Sequence, residues 1–444
     1  MKKPFIGNDT FDKFRCSSCG RIHRAYLKEL YIDDDAIQSL PEVLKRYNSK
    51  KPYILSDDNT FCAGDAGKKV LSVLDRGSFA YSNHIMKSAP GERLKPDERT
   101  VGNALMYLPA DADSVISIGS GVLNDTGKII AATKGVPYII IATAPSMDGF
   151  ASANSSMERD GLKITIDSKC PDVVIADLSV LISAPAHMIL SGTGDMLAKY
   201  VSIAEWKISN IITGDYYCQF IADTVSNSLN TVVKNAKDAL SGNKKAISKI
   251  LEGLVFSGIC MNYAGNSRPV SGMEHYISHI FDMRALEFGT ASDLHGIQCG
   301  IATLKTIEAY EKLTKYNPDI DKALKYVENF DYSDWSLELK KFLGRAADVL
   351  IEKEKTENKY SRSSHRERIM RICEEWDKIK DVISTLPSSS WLRSFMKEIG
   401  HPVSFSEIGI SSTEERKAFI MAKDIRDKYV LGKLLWDLGI LDEF

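Results

Sequence analysis

Over the first part of the chain, short apolar runs alternate with stretches of helical period. Pro52-Tyr-Ile-Leu-Ser56 reads as a strand, and Ser78-Phe-Ala-Tyr-Ser82 as the next. Ser114-Val-Ile-Ser-Ile118 and Tyr138-Ile-Ile-Ile-Ala142 are two more, separated by a stretch of crossover-helix length. Apolar strands alternating with helices predict a parallel sheet covered on both faces. From about Ser191 the period becomes helical and stays so, with helices expected over 195–210, 217–236 and 245–257. Glu352 to Arg368 is charge-rich and reads as a solvated helix face or a surface loop. Asn317 to Asp334 reads as an exposed connection. The expected architecture is an α/β domain over 1–190 with a Rossmann-like parallel sheet, its residues 1–26 a Cys-containing segment. An all-α domain over 191–444 follows.

Composition narrows the class. The chain has 444 residues and a net charge of −2, so it carries no electrostatic footprint for nucleic acid. No stretch approaches the roughly 20 apolar residues that span a bilayer. The opening Met-Lys-Lys-Pro-Phe-Ile lacks the apolar core of a secretory signal. Eight cysteines scattered along the chain fit a reducing, cytoplasmic setting. Cys16-Ser-Ser-Cys19-Gly20, followed by His23, is half of a zinc knuckle. Two free thiols are the alternative.

The candidate chemistry sits at strand ends and on one helix. After Ile118 come Gly119, Ser120 and Gly121, then Asn124, Asp125 and Lys128. Glycines there let a backbone approach a pyrophosphate, although the spacing is not Gly-x-Gly-x-x-Gly. After Ala142, the loop Thr143-Ala-Pro-Ser146-Met-Asp148-Gly149, with Ser152 behind it, crowds hydroxyls and a carboxylate together. Asp57, at the end of an early strand, is placed to take ribose hydroxyls. In the second half, Ser271-Gly-Met-Glu274 has capping-box spacing and predicts a helix start there. His275 and His279 then share one helical face, and His295, before Gly296, falls at a turn or helix start. With Asp195, two imidazoles and a carboxylate make a three-ligand divalent-metal site with one open position. A packed histidine pair is the bland alternative.

Taken together, these segments resemble a known family. Gly119-Ser-Gly-Val-Leu-Asn-Asp125, Thr143-Ala-Pro-Ser-Met-Asp148, Gly192-Thr-Gly-Asp195, Ser267-Arg-Pro-Val-Ser-Gly-Met-Glu-His275-Tyr-Ile-Ser-His279 and His295-Gly296 are similar to those of the sn-glycerol-1-phosphate dehydrogenases, especially the bacterial AraM-type members. That family shares its fold with iron-type alcohol dehydrogenases, glycerol dehydrogenase and dehydroquinate synthase. The resemblance implies NAD(P)-dependent, metal-assisted, reversible reduction of dihydroxyacetone phosphate to sn-glycerol 1-phosphate, in phospholipid biosynthesis. A glycerol or polyol dehydrogenase and a dehydroquinate-synthase-like lyase are the alternatives.

The resemblance implies metal ligation by Asp195, His275 and His295, with zinc, nickel or iron as the ion. It implies catalysis by these residues and His279, and substrate contacts by Asp148, Asp195 and His279. Nucleotide contacts fall on Gly119, Gly121, Val122, Leu123, Asn124, Asp125, Thr143, Ala144, Pro145, Ser146 and Ser152, with Asp57 beside them. Arg268 and Lys199 are the candidate anchors for the substrate phosphate. NAD or NADP is the expected cofactor, no nucleic acid or membrane is expected as a partner, and a homo-oligomer, with a dimer favoured, is expected.

Overall fold

A computed structural model describes residues 13–88 and 93–444. Their contacts divide them into two compact units. The first comprises the described residues of Met1–Asp160 with Ile164–Met196 and Asn227–Asn266; the second comprises Gly161–Lys163, Leu197–Ser226 and Ser267–Phe444.

The first unit opens with a hairpin of β1 (Lys13–Arg15) and β2 (Ile22–Arg24). Its sheet uses β3 (Glu29–Asp33), β4 (Pro52–Asp57), β5 (Ser82–Met86), β6 (Ser114–Gly119) and β7 (Tyr138–Ala142). A separate two-stranded ribbon, β8 (Asn154–Arg159) and β9 (Leu162–Asp167), precedes the last sheet strand, β10 (Val173–Asp177). The order is β3-β10-β7-β6-β4-β5, and every pairing is parallel. β6, β7 and β10 are buried along their whole length, as strands covered on both faces must be. Ile54, Ile116, Ile139, Ile141 and Ile175 pack with Val70, Val73 and Leu74 into one core cluster.

One expected strand is displaced. Ser78–Ser82 does not extend the sheet; β5 starts at Ser82. Residues 77–79 instead close the helix Ala66–Arg76. Ser78 takes a left-handed φ of 56°, and the Phe79 N–H donates to the Leu74 carbonyl, six-to-one across the helix end.

The second unit is helical, with Trp206, Phe281, Leu304 and Leu434 among its buried side chains. The segment read as an exposed connection folds into helices Ile320–Glu328 and Tyr332–Leu343. Ala323 and Val327, one turn apart, bury the first of these. The charge-rich segment is also helical, over Ala346–Glu357 and Arg362–Glu374, and it is not purely solvated. Arg368 donates from Nε to Asp437 Oδ2 at 2.7 Å, and Glu354 and His365 are buried. Among the described residues, no helix is long and apolar enough to cross a membrane.

Candidate active site

In the first unit the chain adds β5 on one side of β4 and then returns to place β6 on the other. Strand order therefore reverses between β4 and β6, the position at which open α/β sheets bind ligands beyond their carboxyl ends. Asp57 ends β4 there and Gly119 ends β6. The helix Gly121–Lys134 follows at once, and the side chain of its N-cap, Ser120, does not cap its first turn. Its leading N–H groups therefore have no side-chain acceptor from the Ser120 cap, as an anion-binding helix start requires. A Cβ on Gly121 would meet nothing nearer than Met147 Cγ at 3.8 Å, so the backbone there is open to close approach. A Cβ on Gly119 would instead collide with Leu123 at 2.5 Å. Gly119 serves the turn, whereas Gly121 serves access. These residues fit a dinucleotide pyrophosphate.

The remaining expected nucleotide contacts divide. Thr143, Ala144, Pro145 and Ser146 form the neighbouring loop: the Thr143 N–H donates to the Gly119 carbonyl at 3.1 Å, and the Ser120 and Ser146 hydroxyls bond each other. Val122 is half-buried in the first turn of the helix. Asn124 and Ser152, expected to touch the nucleotide, are turned inward. Asn124 is fully buried, and its Nδ2 donates to the Gly149 carbonyl at 3.2 Å. Ser152 Oγ accepts from Lys128 Nζ at 2.9 Å. Leu123 is also buried. Lys128 is the centre of this arrangement, reaching Asp125, the Gly149 carbonyl (2.7 Å) and the Asn154 carbonyl (3.0 Å) from a fully buried position. It clamps the two loops together. Asp57 accepts from the Thr60 N–H at 2.7 Å in a capping box, so one of its oxygens is committed to a helix start.

Asp148 and Asp195 lie together in this unit. The Asp148 N–H donates to Asp195 Oδ2 at 2.9 Å, and Ser257 Oγ donates to Asp148 Oδ2 at 2.9 Å. Two glycines allow the approach. A Cβ on Gly192 would lie 2.0 Å from the Pro145 carbonyl oxygen, and one on Gly258 would lie 2.9 Å from that of Asp148.

The second unit gathers the histidines. The helix Met273–Phe288 carries His275 and His279, and His295 is the first residue of the helix His295–Leu313. The His275 and His295 rings lie 5.1 Å apart, and those of His279 and His295 stack at 5.3 Å. Each prospective ligand has its Nδ1 engaged. His275 Nδ1 is 2.8 Å from Glu274 Oε1, and His295 Nδ1 is 2.9 Å from Ser278 Oγ. The Glu274 carboxylate can only accept, so His275 carries its proton on Nδ1 and its lone pair on Nε2, while His295 Nε2 lies 3.5 Å from Cys299 Sγ. Gln298 Nε2 donates in turn to Ser278 Oγ at 3.0 Å and to Asp282 Oδ1 at 2.8 Å. Donor atoms of His275, His295 and Cys299 fall within 4.8 Å of one another, and so do those of His279, Asp282 and His295. The donor set suits a borderline divalent ion.

The capping box expected at Ser271 is not formed. Gly272 is the N-cap, and the acids reach the helix start differently: Glu274 Oε1 accepts from the Gly272 N–H at 2.7 Å, and Glu205 Oε2 accepts from the Met273 N–H at 2.9 Å. Burial pushes the Glu205 carboxyl above its ordinary range, against the pull of Lys428. Burial holds His279 well below its ordinary value despite Asp282, with Lys163 and Arg426 adding to the depression, so its ring is neutral near pH 7. Burial acts to raise Asp282, but Lys163 together with the neighbouring His279 and His295 outweighs it and holds the carboxyl well below its ordinary range.

Neither expected phosphate anchor is presented as one. Lys199 is fully buried, and its Nζ donates to the Val270 carbonyl at 3.0 Å. Arg268 is paired with Asp215 and, at 2.7 Å, with Asp427. Glu205, Ser278, Gln298, Asp282 and Lys163 were not foreseen. Glu205 did leave a signal: a lone acid inside the apolar run Ile203-Ala-Glu-Trp206, where only a paired carboxylate is tolerated.

The model of the family "Iron-containing alcohol dehydrogenase" matches residues 31–185. A glycerol-1-phosphate dehydrogenase (NAD(P)+) of Bacillus licheniformis is 29% identical over 425 residues, covering 95% of this chain and 92% of the relative. The enzyme of that name from Bacillus velezensis is 33% identical over 304 residues, 67% of this chain and 77% of its own. Among solved structures, a glycerol dehydrogenase from Schizosaccharomyces pombe superposes with a TM-score of 0.61 at 17% identity, over 98% of this chain and 92% of that one, which shows the shared fold. With this identity and coverage, the chain belongs to the glycerol-1-phosphate dehydrogenase family.

Proposed function

We propose that this protein is a metal-dependent oxidoreductase that reduces dihydroxyacetone phosphate to glycerol 1-phosphate with NADH or NADPH, and catalyses the reverse. The reading rests on family membership, and one observation carries it to chemistry: His275, His295 and Cys299 bring donor atoms within 4.8 Å of one another, and the Glu274 carboxylate holds the His275 proton on Nδ1, which leaves the lone pair of that ring on Nε2. Asp195, His275 and His295 are the proposed ligands, and the switch-point loops of Gly119–Gly121 and Thr143–Ser146 are the proposed nucleotide cradle. When bound, the reduced nicotinamide supplies the hydride and the divalent ion polarises the carbonyl oxygen.

The chain's own residues do the rest. Asp148, oriented by Ser257, accepts a hydrogen bond from a substrate hydroxyl. His279, neutral through burial, orients the substrate by a hydrogen bond, and the proton of the product hydroxyl is drawn from solvent. Its Nδ1 lies 4.0 Å from Asp282 Oδ2, beyond hydrogen-bond distance. Lys163 and Arg426 give the surroundings of His279 a positive field that suits a phosphate dianion.

The Arg426→Ala variant tests the substrate assignment. Removing this cation is expected to lower kcat/KM for dihydroxyacetone phosphate by roughly 10-fold or more, the size of a lost charged hydrogen bond. Turnover of unphosphorylated dihydroxyacetone should hardly change. Equal losses on both ketones would point to a polyol dehydrogenase.

A further inference from the structure

We propose that the β1–β2 hairpin is a structural metal knuckle in which Cys16, Cys19 and His23 bind zinc, independently of the oxidoreductase site. The hairpin folds the ligands together by backbone geometry alone. β1 and β2 pair Phe14 with His23, and the chain reverses between them through two bonds: the Cys16 N–H to the Arg21 carbonyl at 2.8 Å and the Gly20 N–H to the Cys16 carbonyl at 2.9 Å. Gly20, directly after the second cysteine, has a left-handed φ of 72° and completes the reversal. Cys19 Sγ then lies 3.4 Å from His23 Nε2, and the donor atoms of Cys16, Cys19 and His23 all fall within 4.8 Å of one another.

The imidazole is set up for ligation. His23 is fully buried and its Nδ1 is 2.9 Å from the Tyr263 carbonyl oxygen, so Nδ1 carries the proton and the Nε2 lone pair faces the sulfurs. Phe14 and Tyr263 pack on the ring at 5.5 and 5.6 Å. Cys16 is likewise buried. Each strand has only three residues, and a hairpin of that length is not stable on its own. A bound ion would supply the missing free energy, as in other small metal-closed units. Two thiolates and an imidazole select zinc among abundant divalent ions. The fourth position of the tetrahedron goes to water or to another cysteine of the chain.

Cobalt substitution reads this site directly in the full-length protein. The chain is stripped with chelator under reducing conditions and reloaded with Co(II). Thiolate-to-cobalt charge-transfer absorption in the near ultraviolet is expected in the native sequence. It should persist in the Cys299→Ser variant, which removes the thiol nearest the histidine cluster. It should be lost or much reduced in Cys19→Ser and in His23→Ala, with zinc content falling by one equivalent per chain. If those two variants fail to fold, the Cys299→Ser protein still decides. Absence of the charge-transfer band there would overturn the proposal. A band unchanged in Cys19→Ser, or an intact mass showing a Cys16–Cys19 disulfide in freshly purified protein, would overturn it equally.

Discussion

One hydrogen bond decides which nitrogen of His275 is offered to an ion. Glu274, its immediate neighbour, takes the Nδ1 proton and is itself held by the Gly272 N–H. Glu274→Gln keeps an acceptor but removes the charge that makes the imidazole a better donor. Loss of such partners typically weakens metal binding by about 10- to 100-fold. A chelator-competition titration of zinc should show a change of that size while the thermal midpoint of the metal-free chain stays nearly constant. An unchanged affinity would show that Glu274 has no hold on the ligand. This residue was visible in the sequence but misread. Its spacing from Ser271 signals a capping box, yet Glu205 from another helix accepts from the Met273 N–H, and sequence spacing carries no information about an acceptor 68 positions away. The histidines were legible because i and i+4 lie on one face whatever the context. The inward turn of Asn124 and Ser152 was not, since it depends on Lys128 reaching across two loops.

At the scale of elements, the helix Ala186–Leu197 touches the Thr143–Asp148 loop only because residue 192 lacks a side chain. Ser191 Oγ donates to the Ser146 carbonyl at 3.0 Å across the same contact. In Gly192→Ala a methyl group would have to enter where the Pro145 carbonyl oxygen now sits. The backbone must shift, at a cost of about 1–3 kcal/mol in chemical denaturation. NADH affinity should fall as well, because the displaced loop borders the Gly119–Gly121 turn. Stability and NADH affinity equal to those of the parent would contradict the close approach. Strands β4, β6 and β7 were readable from their continuous apolar runs. Ser78–Ser82 has the same kind of composition, but the preceding helix captures it through the Phe79 N–H bond. The helix Lys244–Ala264 was readable as a helix, whereas its packing on Gly149–Ala151 within the first unit is a tertiary fact that its period does not encode.

Across the whole molecule, buried neutral histidines link stability to pH. Burial lowers the pKa of both His279 and His365 below 6.5. The folded chain keeps these rings neutral, while the unfolded chain takes up protons once pH drops below about 6.5. The unfolded state thus binds more protons from that point down to the depressed folded values, and stability is lost as pH falls through the window. Burial of Glu205 acts in the opposite sense over the same range, so the linkage is read as a difference between variants: between about pH 7.5 and 5.5 the unfolding midpoint of the chelator-treated parent should fall relative to that of His365→Asn, which takes up as much as one fewer proton. The same pH dependence in parent and variant would refute this linkage.

In the proposed function, hydride transfer to a phosphorylated ketone depends on an ion held by Asp195, His275 and His295. The most direct test follows NADH consumption with dihydroxyacetone phosphate on chelator-stripped protein, then on the same protein given zinc, nickel or iron in turn. Activity is expected to disappear with the chelator and to return with at least one of these ions, and the His275→Ala/His295→Ala protein to respond to none. Full activity in stripped protein, or in the double variant, would contradict it.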